Sequence, residues 1–157
     1  MNIMNVRPTV RLATMDDLED LLSMGRELHK ENGLLNLDEA LIRQGALDAI
    51  DGNHSVVGVI GPVGKIQGAI HLAFRRFWYT SDWHLEELWA YVRPQYRRST
   101  NAKALVQYAK HCAETLKVPL LIGILSNTQT EAKIALYKRQ LGTPSGAYFL
   151  YNAKTGS

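Results

Sequence analysis

Residues 93–105, RPQYRRSTNAKAL, set three arginines beside small hydroxyl and amide residues and then turn regularly apolar. Backbone N–H groups entering a helix in succession make a concavity for anions, and the helix dipole reinforces it. Arg97, Arg98 and Lys103 stand where they would add charge-assisted contacts to phosphate groups. The plainer alternative is that Ser99 or Thr100 caps the helix and the arginines form a solvated patch. Other signals carry less. Gly61-Pro62-Val63-Gly64-Lys65-Ile66 looks like a phosphate loop, but Val59 stands where the first glycine belongs and Ile66 where Ser or Thr would hold magnesium, so it reads as a hairpin turn. His29, His54, His71, His84 and His111 never fall at helical metal-ligand spacing; His71 and His84 read as a pair of surface histidines, and no metal is expected. The single cysteine, Cys112, lies on an apolar stripe and reads as core.

The elements that must position these residues follow from periodicity. Thr14-Met15-Asp16-Asp17 is a capping-box-like start to a helix near 15–31, preceded by a short strand at Val10-Arg11-Leu12. Asn36 with Glu39 marks a second helix that ends at Asp51-Gly52-Asn53. Residues 56–60 and 66–77 read as a hairpin, and 85–92 as a further strand stopped by Pro94. Ala102, Leu105, Val106, Ala109, Cys112, Ala113 and Leu116 keep one face of a helix over 101–117. The apolar run 118–125 suits a strand covered on both faces, residues 127–140 a last helix capped near Thr128, and residues 147–151 a last strand. The order β-α-α-β-β-β-α-β-α-β implies an α+β fold with one right-handed parallel crossover.

The stretch from Val92 to Arg97, followed by a short loop and an Ala/Leu-rich helix, resembles the acetyl-CoA signature of the GNAT superfamily of N-acetyltransferases. The family pattern is Gln or Arg, two residues, Gly, one residue, then Gly or Ala; here those positions are Arg97, Thr100 and Ala102. Leu136-Tyr137 with Leu141-Gly142 is similar to the family's LY…LG segment, and the element order resembles it over nearly the whole chain. The resemblance implies a mostly antiparallel central sheet flanked by about four helices. It also implies acetyl-CoA as co-substrate, an amine-bearing acceptor, and direct attack of the amine on the thioester. For the cofactor it implies Ala90, Tyr91 and Val92 on the strand, Arg97, Arg98, Ser99, Thr100, Asn101, Ala102 and Lys103 in the turn, and Asn127 beyond the next strand, where capping the last helix is its ordinary alternative.

For catalysis the resemblance implies a carboxylate base and a donor to the departing thiolate. Glu86 and Glu87 are the carboxylates, each with the alternative of an exposed charge at the sheet edge; Tyr137 is the donor, or else a core aromatic with its hydroxyl at the surface. Alternation puts Glu86 on the face of Leu88, Ala90 and Val92, and Glu87 on that of Trp89 and Tyr91. Thr100 stands where the family has Gly, and its Cβ limits positive φ and close approach of backbone to phosphate. It supports the alternative of a GNAT-fold binding module that has lost turnover.

With 157 residues, 46% apolar and 21% charged, the chain reads as one domain over 1–157. MNIMNVRP has no signal-peptide pattern and no apolar run reaches a membrane span, so a cytoplasmic protein without a membrane partner is expected. A net charge of +3 fits an anionic ligand and is too weak to argue for nucleic acid. The cluster Arg75, Arg76, Trp78, Tyr79 and Trp83 is suited to stacking, which points to acceptor recognition or a homodimer contact.

Overall fold

The turn at residues 61–65 closes a hairpin, as its Gly and Pro content predicts. The computed structural model describes residues 9–152, so the reading of residues 1–8 as lacking a leader falls outside it. Strands β1 (Arg11–Leu12), β2 (Ser55–Ile60), β3 (Gly68–Arg75) and β4 (His84–Val92) pair antiparallel in chain order, and β5 (Leu120–Leu121) joins β4 in parallel. Helices α1 (Leu18–Asn32) and α2 (Glu39–Ile50) lie between β1 and β2, α3 (Asn101–Leu116) between β4 and β5, and α4 (Thr130–Leu141) after β5. This is the expected α+β architecture with one parallel crossover.

Each face of the sheet has its own core. Leu21 and Met24 of α1 and Ala49 of α2 pack on Val57, Val59, Ala69 and Tyr91, whereas Leu105 and Ala109 of α3 pack on Ile70, Leu72, Leu85 and Val92. Gly58 lets α3 approach: a Cβ there would stand 2.6 Å from a Tyr108 ring carbon. The start of α1 is fixed by the fully buried Asp17, which takes both Arg11 guanidinium nitrogens at 2.8 Å and the Thr14 backbone N–H at 2.8 Å. That guanidinium holds the Asp17 carboxyl below the usual carboxylate range. Two more arginines tie the sheet to α1. Arg93 reaches Asp20 (2.8 Å) and Glu27 (3.0 Å), and Arg97 reaches Glu31 (2.7 Å). At spacings of seven and four, these three acids keep to one face of the helix.

The strand β4 departs from simple alternation. His71 pairs with Trp89 and Leu72 with Glu87, so Leu88 has no partner on β3 and forms a bulge. Cross-strand partners share a face. Glu87 therefore lies with Leu72 on the α3 side, which Ala90 and Val92 also share, and Glu86 lies with Ala73 on the side of Trp89 and Tyr91. The expectation from alternation is reversed because one extra residue turns the pleat over.

Other elements begin or end elsewhere than the sequence suggests. Asp38, not Asn36, caps α2, accepting from the N–H groups of Ala40 (3.0 Å) and Leu41 (3.2 Å). The helix expected from residue 127 starts at Thr130, after Gln129 takes a left-handed φ of 52°. Of the run 118–125 only Leu120–Leu121 pairs, and residues 147–151 form no strand, with Phe149 94% and Tyr151 90% exposed. Once β5 leaves β4, no ladder remains for that segment to extend. Within the Arg/aromatic cluster Arg76 lies over the Trp83 ring (4.4 Å) and Trp78 meets Tyr79 edge-on (5.7 Å), while the intervening Phe77 stacks on His84 (4.4 Å). His71 and His84 are both buried, against the surface placement expected for them. Among the described residues no helix is long and apolar enough to cross a membrane.

Candidate active site

The parallel pair β4–β5 holds only at Leu85–Leu120 and Glu86–Leu121. Beyond it β4 runs on to Val92 while residues 122–126 diverge, and both stretches line a cleft of about 1000 Å³. The Arg93 N–H bonds the Gln67 carbonyl across β3 (2.9 Å), so by alternation the Tyr91 amide also faces β3. The Ala90 and Val92 amides face the opening. The Tyr91 side chain points the other way, into the α1 side, where its hydroxyl donates to Glu31 (3.2 Å).

The bulge brings Glu87 to α4. There the Tyr137 hydroxyl donates to Glu87 Oε2 at 3.3 Å, and both residues line the cleft. Burial pushes the Glu87 carboxyl up to about 7, with the Tyr137 hydrogen bond and the Lys133 charge opposing. Burial, and then the Glu87 charge, push the Tyr137 phenol well above the usual tyrosine range, so it is a neutral donor. A carboxylate that titrates near neutrality beside a phenol is a proton-accepting and proton-donating pair. Glu86 also reaches the cleft, but its carboxylate is engaged by His84 (3.3 Å) and Arg75 (3.9 Å).

At the start of α3, Thr100 has φ −90°, a conformation open to any L-residue, so threonine at this position is unstrained. Ser99 Oγ accepts from the Asn101 N–H (3.1 Å) and donates to the Tyr96 carbonyl (2.6 Å), and the Asn101 side chain donates to Gln67 (3.0 Å). The Ala102 and Lys103 amides have no hydrogen-bond partner among the described residues. Arg98 and Lys103 are exposed and form no ion pair among those residues. Arg97 is committed elsewhere: its Nε donates to the Val92 carbonyl (2.8 Å), its NH2 pairs with Glu31, and it lies 5.2 Å from the centre of the Tyr91 ring.

The sequence matches the model of the acetyltransferase (GNAT) family over residues 18–143. The chain belongs to this family. No curated protein matches it significantly in sequence. Solved structures share its fold at low identity. A predicted acetyltransferase with acetyl-CoA from Clostridium acetobutylicum is 17% identical with a TM-score of 0.72, over 92% of this chain and 95% of that one. AAC(6')-Iy in complex with the bisubstrate analog CoA-S-monomethyl-acetylneamine is 11% identical with a TM-score of 0.74, over 92% and 96%. The aminoglycoside antibiotic 6'-N-acetyltransferase AAC(6')-IG from Acinetobacter haemolyticus is 16% identical with a TM-score of 0.68, over 95% and 99%.

Within this GNAT fold, the residues singled out in the sequence are brought together only in part. Glu87, Tyr137, Ala90, Val92 and Ala102 line one cleft, with Ser99, Thr100, Asn101, Arg98 and Lys103 at or beside the α3 turn. Arg97 and Tyr91 contribute to the wall, but their side chains bind α1. Asn127 lies outside the lining; it is exposed, and its backbone N–H bonds Asn32 Oδ1 (3.1 Å). The Arg/aromatic cluster at 75–83 does not line the cleft. Residues not foreseen are Glu31, His71, Trp89 and Lys133. His71 did leave a signal: it is the one polar side chain in the otherwise apolar run 68–74.

Proposed function

We propose that this GNAT protein is an acetyl-CoA-dependent N-acetyltransferase that passes the acetyl group directly to an amine. The observation that carries the proposal is the Glu87–Tyr137 pair in the wall of the opening between β4 and β5. Acetyl-CoA would lie with its phosphates at the unpaired Ala102 and Lys103 amides, beside Arg98 and the Lys103 ammonium. Its pantetheine arm would follow the free Ala90 and Val92 amides toward Glu87. The acceptor enters as an ammonium and loses one proton to water. As its nitrogen attacks the thioester carbon, Glu87 takes a second proton and Tyr137 gives its own to the departing sulfur. The hydrogen bond between them returns a proton from Glu87 to Tyr137, so the pair ends as it began. Nothing in this sequence of steps calls for a metal.

A binding module without turnover finds less support here, because Thr100, its main sequence argument, sits at an unstrained negative φ. Titration with acetyl-CoA tests the proposal. Saturation at a hundred times Kd stabilises the protein by about 2.7 kcal/mol, read as a raised melting temperature, and no shift at millimolar cofactor would sink it. The arginines separate in the same assay. Arg98→Ala should weaken CoA by more than it weakens dephospho-CoA, since only a phosphate contact is lost. Arg97→Ala should lower the melting temperature and weaken both ligands alike, since it unties the loop from Glu31. The reverse pattern would move the phosphate site to Arg97.

A further inference from the structure

The cleft continues past Glu87 to the other side of β4, where α1 and α2 close over it with Leu28, Leu41, Ile42 and Trp89 among its walls. With the cofactor along the opening and the α3 turn, this end is left for the acceptor. The acidic residues lining the whole cleft are Glu31, Glu86 and Glu87. Glu31 is neutralised by Arg97 (2.7 Å), Glu86 faces His84 and Arg75, and Glu87 is partly protonated at neutral pH because burial raises it to about 7. Lys133 and Arg97 line the same cleft. A polycation would bring ammonium groups against apolar walls with no carboxylate free to meet them.

Among the described residues, one buried polar atom at this end lacks a partner. His71 is 6% exposed and lines the cleft, yet its Nε2 is buried without a hydrogen bond among the described residues. Burial, with the Arg75 charge adding to it, lowers its pKa to about 4, so the imidazole is neutral. Its ring stands edge-on to Trp89, at 6.0 Å and 79°. An orphaned buried nitrogen costs stability, and a ligand group that bonds it recovers the loss.

We propose that the acceptor is a primary amine with a single positive charge on an aromatic body, seated against Trp89, with one polar substituent hydrogen-bonded to His71 Nε2. The inference rests on the transferase reading and narrows its substrate class. Tyramine, phenethylamine and kanamycin test it, with thiol release from acetyl-CoA as the rate and calorimetry of acetyl-CoA as a separate measurement. Tyramine should exceed kanamycin in kcat/KM by tenfold or more, and exceed phenethylamine through its hydroxyl. His71→Phe should erase the tyramine-to-phenethylamine ratio, with acetyl-CoA affinity reporting that the variant is folded. If acetyl-CoA binds and kanamycin equals or outruns tyramine, or neither arylalkylamine reacts, the substrate class is wrong. A tyramine-to-phenethylamine ratio unchanged in His71→Phe removes the histidine contact. If acetyl-CoA itself does not bind, the transferase reading fails and this inference with it.

Discussion

Glu87→Gln should lower kcat by about 10²- to 10⁴-fold, the range for one positioned general base, while the protein melts at a higher temperature at pH 8. The two effects share one cause. Burial lifts this carboxyl from 4.5 to about 7, so the folded state holds a proton that the unfolded chain has released. Stability linked to Glu87 is fully present below about 4.5 and is lost as pH rises through about 7, where the folded protein must ionise a desolvated group. Glutamine removes that burden, so the gain in melting temperature should be seen at pH 8 and should shrink toward pH 5. For the unmodified protein, the proposed transferase activity should climb with pH through about 7 as Glu87 ionises. Rate profiles and melting curves over the same pH range provide the check. A glutamine variant with ordinary turnover would remove Glu87 from the mechanism, and one no more stable at pH 8 would refute its burial as a charge.

Tyr137→Phe should lower kcat by about 10²-fold with acetyl-CoA affinity nearly constant, because the bond to sulfur strengthens only as the thiolate forms. The tyrosine also lowers the Glu87 pKa through its hydrogen bond. Without it the rising limb of the pH–rate profile should move to higher pH. A tyrosine that merely packed α4 would change stability and leave that limb in place. Measuring kcat, cofactor affinity and the midpoint on one variant separates the two roles, and an unchanged rate with an unchanged midpoint would exclude Tyr137.

What could be read from the sequence was local. The stripe of α3, the hairpin turn and the caps depend on residues a few positions apart, and the structure keeps them with shifts of one to three residues. The bulge was not legible, since Leu85-Glu86-Glu87-Leu88-Trp89 alternates equally well in either register, and only the pairing with β3 decides. The partner of Arg97 was hidden for a related reason. Arg97 looks like a phosphate contact beside its sequence neighbours, whereas its side chain is engaged by Glu31 from 66 residues away. Apolar runs were over-read as strands: residues 122–125 and 147–151 have the composition for one, but the divergence of β5 denies them a partner.

The bulge at Leu88 makes backbone pairing, and not side-chain identity, the determinant of which glutamate meets Tyr137. Leu88 is 40% exposed, so many substitutions there would leave the pleat as it is. Drawing Leu88 into a regular pleat, with the residue kept and the bulge lost, would rotate everything before it by half a turn, carrying Glu87 away from Tyr137 and Leu85 out of its core together. In the course of sequence divergence this site is therefore sheltered from drift at position 88, and even from loss of that residue, which would leave Glu87 opposite Leu72; it is vulnerable to closure of the bulge around a retained residue. A strand that kept Leu88 and lost the bulge would present Glu86 to the α3 side, a neighbouring carboxylate in place of Glu87.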